Sequence, residues 1–95
     1  MDRVTHRRFQ RRIVEWPASC KTHSGNLSGR VLDYSWGGAF FSPADTNGVR
    51  AGDRLELAIE SSNGGKLLEF VARVIWIGPS PTHGCDGYGL EFVPS

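Results

Sequence analysis

The frequent occurrence of glycine and proline is the feature that most limits the folds that this chain can adopt. Twelve glycines and five prolines are spread over 95 residues, and only short runs remain between them. Almost none of these runs carries the 3.6-residue period of an amphipathic helix, whereas several alternate apolar and polar residues. The pattern predicts an all-β chain of short strands joined by turns.

The predicted strands lie between clusters of turn residues. They are expected at residues 13–20, 27–33, 39–42, 53–60, 66–77 and 88–93, with a loop at 78–87 before the last. Pro17 favours an edge or a bulge in the first strand. The run SSNGG suits a hairpin turn before the fifth strand. Such an arrangement indicates one small antiparallel barrel, which closes its own edges.

The fifth predicted strand alternates along most of its length. Its apolar residues are expected on one face, namely Leu68, Phe70, Ala72, Val74 and Trp76. Trp76 has two interpretations at this point, since a tryptophan on that face can belong to the core or bind a ligand.

The spacing of the cysteines and the hydropathy of the chain indicate the cellular compartment in which we expect the protein. Cys20 and Cys85 are far apart in sequence, and no paired spacing indicates zinc or a redox dithiol. The chain shows no signal peptide and no apolar run of ~18 residues. We therefore expect a cytoplasmic protein with reduced thiols and no membrane span.

The net charge of +1 hides an asymmetry along the chain. Residues 1–12 hold five arginines and one aspartate, whereas residues 13–95 hold six basic and nine acidic side chains. We expect a basic N-terminal arm at 1–12 and a barrel domain at 13–95. The arm can be a solvated tail or a nonspecific phosphate binder. Its exclusive use of arginine also suits bidentate binding of phosphate or of a guanine edge.

The arginines of the arm are spaced so that two of them can bind the same anion. Arg7 and Arg11 are four residues apart, as are Arg8 and Arg12. In a helix or in an extended segment each pair shares one side, so two guanidinium groups can meet one anion.

A second polar motif follows the second predicted strand in the run DYSWGG, residues 33–38. One interpretation is a turn, in which Asp33 accepts backbone hydrogen bonds, Ser35 starts the turn and the glycines take positive φ. The other is base recognition. A carboxylate accepts hydrogen bonds from the two adjacent N–H groups on the Watson–Crick edge of guanine, and arginine complements it on the O6/N7 edge.

The run RRFQR followed by DYSWGG resembles the signature motifs of the PilZ domain family, R-x-x-x-R and D/N-x-S-x-x-G. The runs IVEWPA, GDRLELAI, ARVIWIG and GYGLEFV resemble strands of the same family, so the likeness covers residues 6–93. The resemblance implies a six-stranded antiparallel PilZ-type β-barrel with a flexible basic N-terminal arm. Many members continue into a C-terminal helix. This chain stops at VPS, so we expect no such helix. We expect one barrel opening, or an apolar patch, to be left for a partner or a second copy, as in a homodimer.

The resemblance also implies that the chain binds the bacterial second messenger cyclic di-GMP as a ligand, without a cofactor or a metal. Carried over by position, Arg7 and Arg11 clamp phosphates and a guanine edge, and Asp33 and Ser35 contact guanine. Gly38 allows the close turn.

Three further residues join this predicted site. By the same resemblance, Arg8 is expected to add a ligand contact, and Trp76 sits where some members place an aromatic ring against a guanine face. Arg12 gives the competing register Arg8…Arg12. We prefer Arg7…Arg11, because counting from Pro17 then fits the first strand of the family.

The function expected from this site is signalling without catalysis. Ligand binding orders a mobile arm and relays the signal to a downstream effector protein. An enzyme is disfavoured because His6, His23 and His83 are scattered and form no triad or metal spacing. Two alternatives are a small nucleic-acid-binding barrel, disfavoured by the acidic body, and a nucleotide-independent PilZ adaptor, disfavoured by the intact motifs.

Overall fold

The computed structural model describes residues 11–44, 48–60 and 67–94. It contains six strands: β1 (Arg12–Thr22), β2 (Gly25–Tyr34), β3 (Gly38–Pro43), β4 (Arg54–Glu60), β5 (Leu67–Ser80) and β6 (Cys85–Phe92). All neighbouring pairs are antiparallel, and they close in the order β1-β2-β3-β6-β5-β4. The predicted six-stranded antiparallel barrel is confirmed.

Two predicted sequence segments lie outside the described residues. They are most of the basic arm, including Arg7 and Arg8, and the hairpin turn at 61–65. The division into an arm at 1–12 and a barrel at 13–95 stays a prediction. No helix occurs within 11–44, 48–60 or 67–94. Accordingly, that part of the chain includes no helical segment with the length and hydropathy to cross a membrane.

Several strands run further than local turn residues predict. The expected loop at 78–87 is mostly paired, because Gly78 lies opposite Gly87 and Ser80 opposite Cys85. Only residues 81–84 form the turn, which ends at Gly84 with a φ of +70°. Pairing on the barrel wall outweighs the local preference of glycine and proline for loops, because it satisfies backbone groups along the whole hairpin.

The core lies inside the barrel and is built by alternation. In β4 the side chains of Leu55, Leu57 and Ile59 are buried, while the charged residues between and beside them are exposed, as predicted. The largest fully buried side chains are Phe41, Leu57, Ile59, Val31, Val74 and Cys20. Burial of these apolar groups supplies most of the favourable free energy of folding.

Four aromatic rings pack against this core from its periphery. Tyr34 lies 5.7 Å from Trp16 and 5.9 Å from Phe92 between ring centroids, and Phe92 stacks on Phe70 at 4.2 Å. Offset and tilted rings at these separations contribute roughly 0.5–1.5 kcal/mol per pair beyond their buried area. They hold the start of β1 against the ends of β2 and β6.

Three bulges interrupt the alternation. The register shifts between Ile13 and Trp16 in β1, between Val31 and Asp33 in β2, and between Val74 and Trp76 in β5. The first bulge ends immediately before Pro17. Because side chains alternate with a period of two, each extra residue moves the following side chain to the other face of the sheet.

The β5 bulge corrects one prediction. Val74 faces the core opposite Leu90, but Trp76 pairs with Gly89 and is 41% exposed. The prediction that Trp76 shares a face with Val74 was wrong, because Ile75 is inserted between their pairing partners. Trp76 therefore lies on the outside of the barrel and is not a core residue.

Candidate functional site

One row of outward-facing residues crosses four strands of the barrel. Asp33 of β2 pairs with Phe40 of β3, Phe40 with Gly89 of β6, and Gly89 with Trp76 of β5. We call these four residues the outer row. Neighbouring strands are about 4.8 Å apart, so the row spans roughly 14 Å of the barrel wall from β2 to β5. The bulges in β2 and β5 are what turn its two ends outward.

The carboxylate of Asp33 is the polar centre of the row. Its side chain is 5% exposed, and Arg11 Nη1 lies 3.1 Å from each of its two oxygens. His83 Nε2 lies 2.8 Å from Oδ2. Among the described residues its hydrogen bonds come from these side chains, so the interpretation that Asp33 accepts backbone bonds in a turn was wrong. A buried carboxylate needs such partners to stay charged.

His83 is held rigidly in the turn between β5 and β6. Its backbone N–H donates to the carbonyl and the hydroxyl of Ser80, both at 3.2 Å. Its ring stacks on Phe40 with centroids 5.0 Å apart and an interplanar angle of 18°. The side chain is 7% exposed.

Sequence reasoning missed His83, which lies 50 residues from Asp33 along the chain. No spacing signal marks it, and the turn that carries it was predicted as part of a longer loop. Only the pairing of β5 with β6 and of β3 with both neighbours brings it to Asp33.

Trp76 forms the aromatic end of the outer row. Its ring stacks on Phe40, with centroids 5.6 Å apart and planes at 25°. It also lies across Gly89, where an added Cβ would be 2.1 Å from the indole nitrogen. Phe40 is thus covered by Trp76 and His83, and the partly exposed indole offers a flat surface on which a base can stack.

Ser35 and Gly38 form the turn between β2 and β3. The N–H of Ser35 donates to the carbonyl of Gly38 at 2.9 Å, and the N–H of Gly37 donates to the Ser35 hydroxyl at 3.2 Å. Neither glycine has positive φ, so that part of the turn interpretation was wrong. Gly38 is needed for space, because an added Cβ would be 2.0 Å from the carbonyl oxygen of Leu90 on β6.

The last arginines of the two candidate registers, Arg11 and Arg12, contact different parts of the barrel. Arg11 contacts Asp33, whereas Arg12 lines a pocket of about 360 Å³ with Trp16, Tyr34, Ser35 and Trp36. Trp36 lies in the turn between β2 and β3 and is 83% exposed to solvent. Arg7 and Arg8 lie outside the described residues.

The sequence model of the PilZ domain family matches residues 5–95, nearly the whole chain. The chain belongs to the PilZ domain family. The resemblance of its two motifs is thereby confirmed at the level of the family. No curated protein matches this PilZ domain.

Solved structures share the PilZ fold with it. The Bacillus subtilis inhibitor of motility MotI/DgrA superposes with a TM-score of 0.80 at 21% identity, over 99% of this chain and 45% of that one. Escherichia coli YcgR in complex with c-di-GMP gives 0.74 at 21% identity, over 92% and 38%. The PilZ domain of YcgR with c-di-GMP gives 0.74 at 19%, over 94% and 79%. This chain therefore spans less than half the length of MotI and of the longer YcgR chain.

A second polar cluster lies elsewhere on this PilZ domain. His23 Nε2 is 3.0 Å from Asp53 Oδ2, and His23 Nδ1 is 3.2 Å from the Ser24 hydroxyl. The N–H of Arg50 also donates to Asp53 at 2.9 Å. That backbone hydrogen bond, and then the one from His23, hold the pKa of Asp53 below its ordinary value. His23 is 62% exposed, so water screens the cluster, which joins the β1–β2 turn to the loop before β4.

Other chemistry is sparse on the described surface. Within 11–44, 48–60 and 67–94 no group of three or more His, Cys, Asp or Glu is arranged to hold a metal ion. A cavity of about 630 Å³ is lined by residues such as Lys21, Glu56 and Glu69 and includes none of the predicted ligand residues. The contacts that connect the sequence motifs are at Asp33.

Proposed function

We propose that this PilZ domain binds cyclic di-GMP along the outer row and in doing so signals without catalysis. The observation that carries the proposal is the contact of Arg11 Nη1 with both carboxylate oxygens of Asp33. It brings one residue of each sequence motif to a common point on the outside of the barrel. Two of the similar solved structures, both of Escherichia coli YcgR, are complexes with c-di-GMP, which supports the choice of ligand.

The cationic half of the proposed site comes from the arm. Arg11, with Arg7 four residues before it, supplies guanidinium forks for the phosphates and for the O6/N7 edge of guanine. Arg8 adds a further contact. The position of Arg11 beside Asp33 supports the register Arg7…Arg11 over Arg8…Arg12, because Arg12 is directed to the pocket beside Trp36.

The part of the proposed site that recognises the guanine base comes from the barrel. Asp33 accepts from the Watson–Crick edge of guanine, and Ser35 adds a hydroxyl at the adjoining turn. Trp76 supplies a stacking surface at the other end of the row, three strands away. Gly38 acts indirectly, because the closeness of β3 to β6 that it permits sets the position of the Ser35 turn.

The proposed signalling step depends on neutralisation of the positively charged arm by the ligand. The phosphates of the ligand neutralise the arginines, which orders the arm across the barrel beside Asp33 and changes the surface presented to a downstream protein. Since the proposed ligand is a bacterial second messenger, the proposal places the chain in the cytoplasm. The activity of a longer protein that includes this domain would depend on that partner.

Calorimetric titration of the purified chain with cyclic di-GMP tests the proposal. A saturable isotherm is expected, with one ligand or an intercalated pair per chain, and with Asp33→Asn reducing the affinity by about tenfold or more. A parallel titration with single-stranded DNA at rising salt tests the alternative of nucleic-acid binding. No saturable response to cyclic di-GMP, together with steeply salt-dependent DNA binding, would favour that alternative.

A further inference from the structure

The two side-chain partners of Asp33 contact its carboxylate differently, Arg11 through both oxygens and His83 through one. Arg11 Nη1 is equidistant from the two oxygens, at 3.1 Å from each, so it lies in front of the fork between them. His83 Nε2 is 2.8 Å from Oδ2. An ionised carboxylate oxygen has two lone-pair directions. Because Arg11 takes the inner direction of Oδ2, the imidazole is left with the outer one.

The front of the fork is also the position that a guanine base needs. Its two adjacent N–H groups bind one carboxylate oxygen each, side by side, from the front. Arg11 and guanine therefore compete for the same side of Asp33, whereas His83 leaves that side free. Binding of the base would transfer Arg11 from Asp33 to the ligand and keep His83 in place.

Burial makes the second partner necessary for this exchange. The Asp33 side chain is 5% exposed, and a buried carboxylate without a donor is strongly disfavoured. His83 is suited to remain, since its backbone is tied to Ser80 and its ring is stacked on Phe40. Arg11, with its side chain 49% exposed, is the partner that can leave.

We propose that His83 is a positioning residue for guanine recognition, which holds Asp33 through an Nε2–H···Oδ2 hydrogen bond while Arg11 exchanges for the base. The inference rests on the proposed function. It assigns the neutral imidazole to the tautomer with hydrogen on Nε2. The ring acts through Asp33 and does not itself touch the ligand, so it sets base specificity and leaves phosphate binding alone.

Two variants separate the hydrogen bond from the packing. His83→Phe keeps an aromatic ring over Phe40 but removes the donor, and His83→Gln supplies an amide N–H near the position of Nε2. Titrations of both variants and of the wild type use three probes, cyclic di-GMP, cyclic di-IMP and cyclic di-AMP. Hypoxanthine lacks the exocyclic amino group of guanine, and adenine lacks the whole donor pair.

The expected result is a loss of discrimination between bases. His83→Phe should bind cyclic di-GMP about tenfold more weakly, with its preference over cyclic di-IMP reduced and any weak affinity for cyclic di-AMP unchanged. His83→Gln should recover to within about threefold of the wild type. Equal losses for all three probes, or no loss in His83→Phe, would overturn the inference while leaving the proposed function standing. A wild type that binds none of the probes would overturn both.

A spectroscopic measurement on the wild type does not depend on the variants folding. Ring ¹⁵N–¹H correlation spectra at pH 8 should assign hydrogen to Nε2 of His83, slowed in solvent exchange by the Asp33 contact. The same signal should persist at saturating cyclic di-GMP, while the Arg11 side-chain resonances shift. A His83 ring with hydrogen on Nδ1, or loss of the Nε2–H signal on binding, would contradict the proposal.

Discussion

The indole of Trp76 lies directly over Gly89, and a single Cβ at that glycine would come within 2.1 Å of the ring nitrogen. The two residues are register partners across β5 and β6. The glycine leaves the space in which the ring can lie flat against the sheet and reach Phe40. A bulge and a glycine on two neighbouring strands thus act together to place one aromatic group on the outer row.

Gly89→Ala should displace that ring. We expect a loss of about 1–3 kcal/mol in the free energy of unfolding, because the methyl group overpacks a filled site. Near-ultraviolet circular dichroism should change, and the affinity for cyclic di-GMP should fall. Urea titration measures the first effect and calorimetry the last. Gly48→Ala is the matched control, since its Cβ would meet only Ser24 Oγ at an ordinary 3.5 Å. Equal behaviour of the two variants would contradict this account of Trp76.

Arginine substitutions distinguish the two motif registers. Arg11→Ala should weaken binding of cyclic di-GMP by about tenfold or more, because the proposed charge-assisted contact with the ligand is lost. Arg12→Ala should have a smaller effect, since Arg12 lies in a separate pocket from Asp33. Trp36→Ala controls for changes near that pocket and should also be mild. Calorimetry with cyclic di-GMP measures the affinity of each variant. A larger loss of affinity for Arg12→Ala than for Arg11→Ala would favour the register Arg8…Arg12.

The Asp53 cluster predicts a pH dependence of stability. The pKa of Asp53 is lowered in the folded protein, so its contribution is present above the ordinary carboxyl pKa and is lost as the pH falls through the folded value. The melting temperature of the wild type should therefore exceed that of Asp53→Asn near pH 6, and the two should converge toward pH 2. Glu69→Gln, at an exposed position of β5, controls for loss of a carboxylate. A gap between wild type and Asp53→Asn that widens in acid would contradict the prediction.

The two thiols should differ in reactivity. Both cysteines are free, and burial raises the pKa of the Cys20 thiol to about 12. Because the thiolate is the reactive form, Cys20 should resist an aromatic disulfide reagent at pH 8 until the protein is unfolded. In Cys85→Ala, labelling should appear only with denaturant. Rapid labelling of that variant under native conditions would show that the barrel wall opens readily at β1.

The local pattern of residues was enough for the architecture. Strict alternation in β4, with Leu55, Leu57 and Ile59 directed inward, reports a sheet with one buried face. Turn residues between such runs then imply six or seven short strands, and a small sheet avoids exposed edges by closing. The two motifs containing Arg11 and Asp33 were also visible, because each consists of particular side chains at a fixed spacing within one short run of the chain.

Local pattern failed wherever a bulge or a distant strand decided the outcome. Alternation predicts Trp76 on the core face, but one inserted residue, Ile75, reverses it, and nothing in that run of apolar residues marks the insertion. Glycines 37 and 38 suggested a left-handed turn, yet Gly38 is required by the distance to Leu90 on another strand. Such steric demands exist only once the strands are paired.

The sequence by itself determined a closed antiparallel barrel of the PilZ family and the positions of its two polar motifs, because periodicity and motif spacing are local properties of the chain. The tertiary structure alone decided that His83 contacts the same carboxylate as Arg11 and that Trp76 faces outward. Those contacts join residues up to 50 positions apart. They depend on strand register, which is set by the whole barrel and not by any one segment.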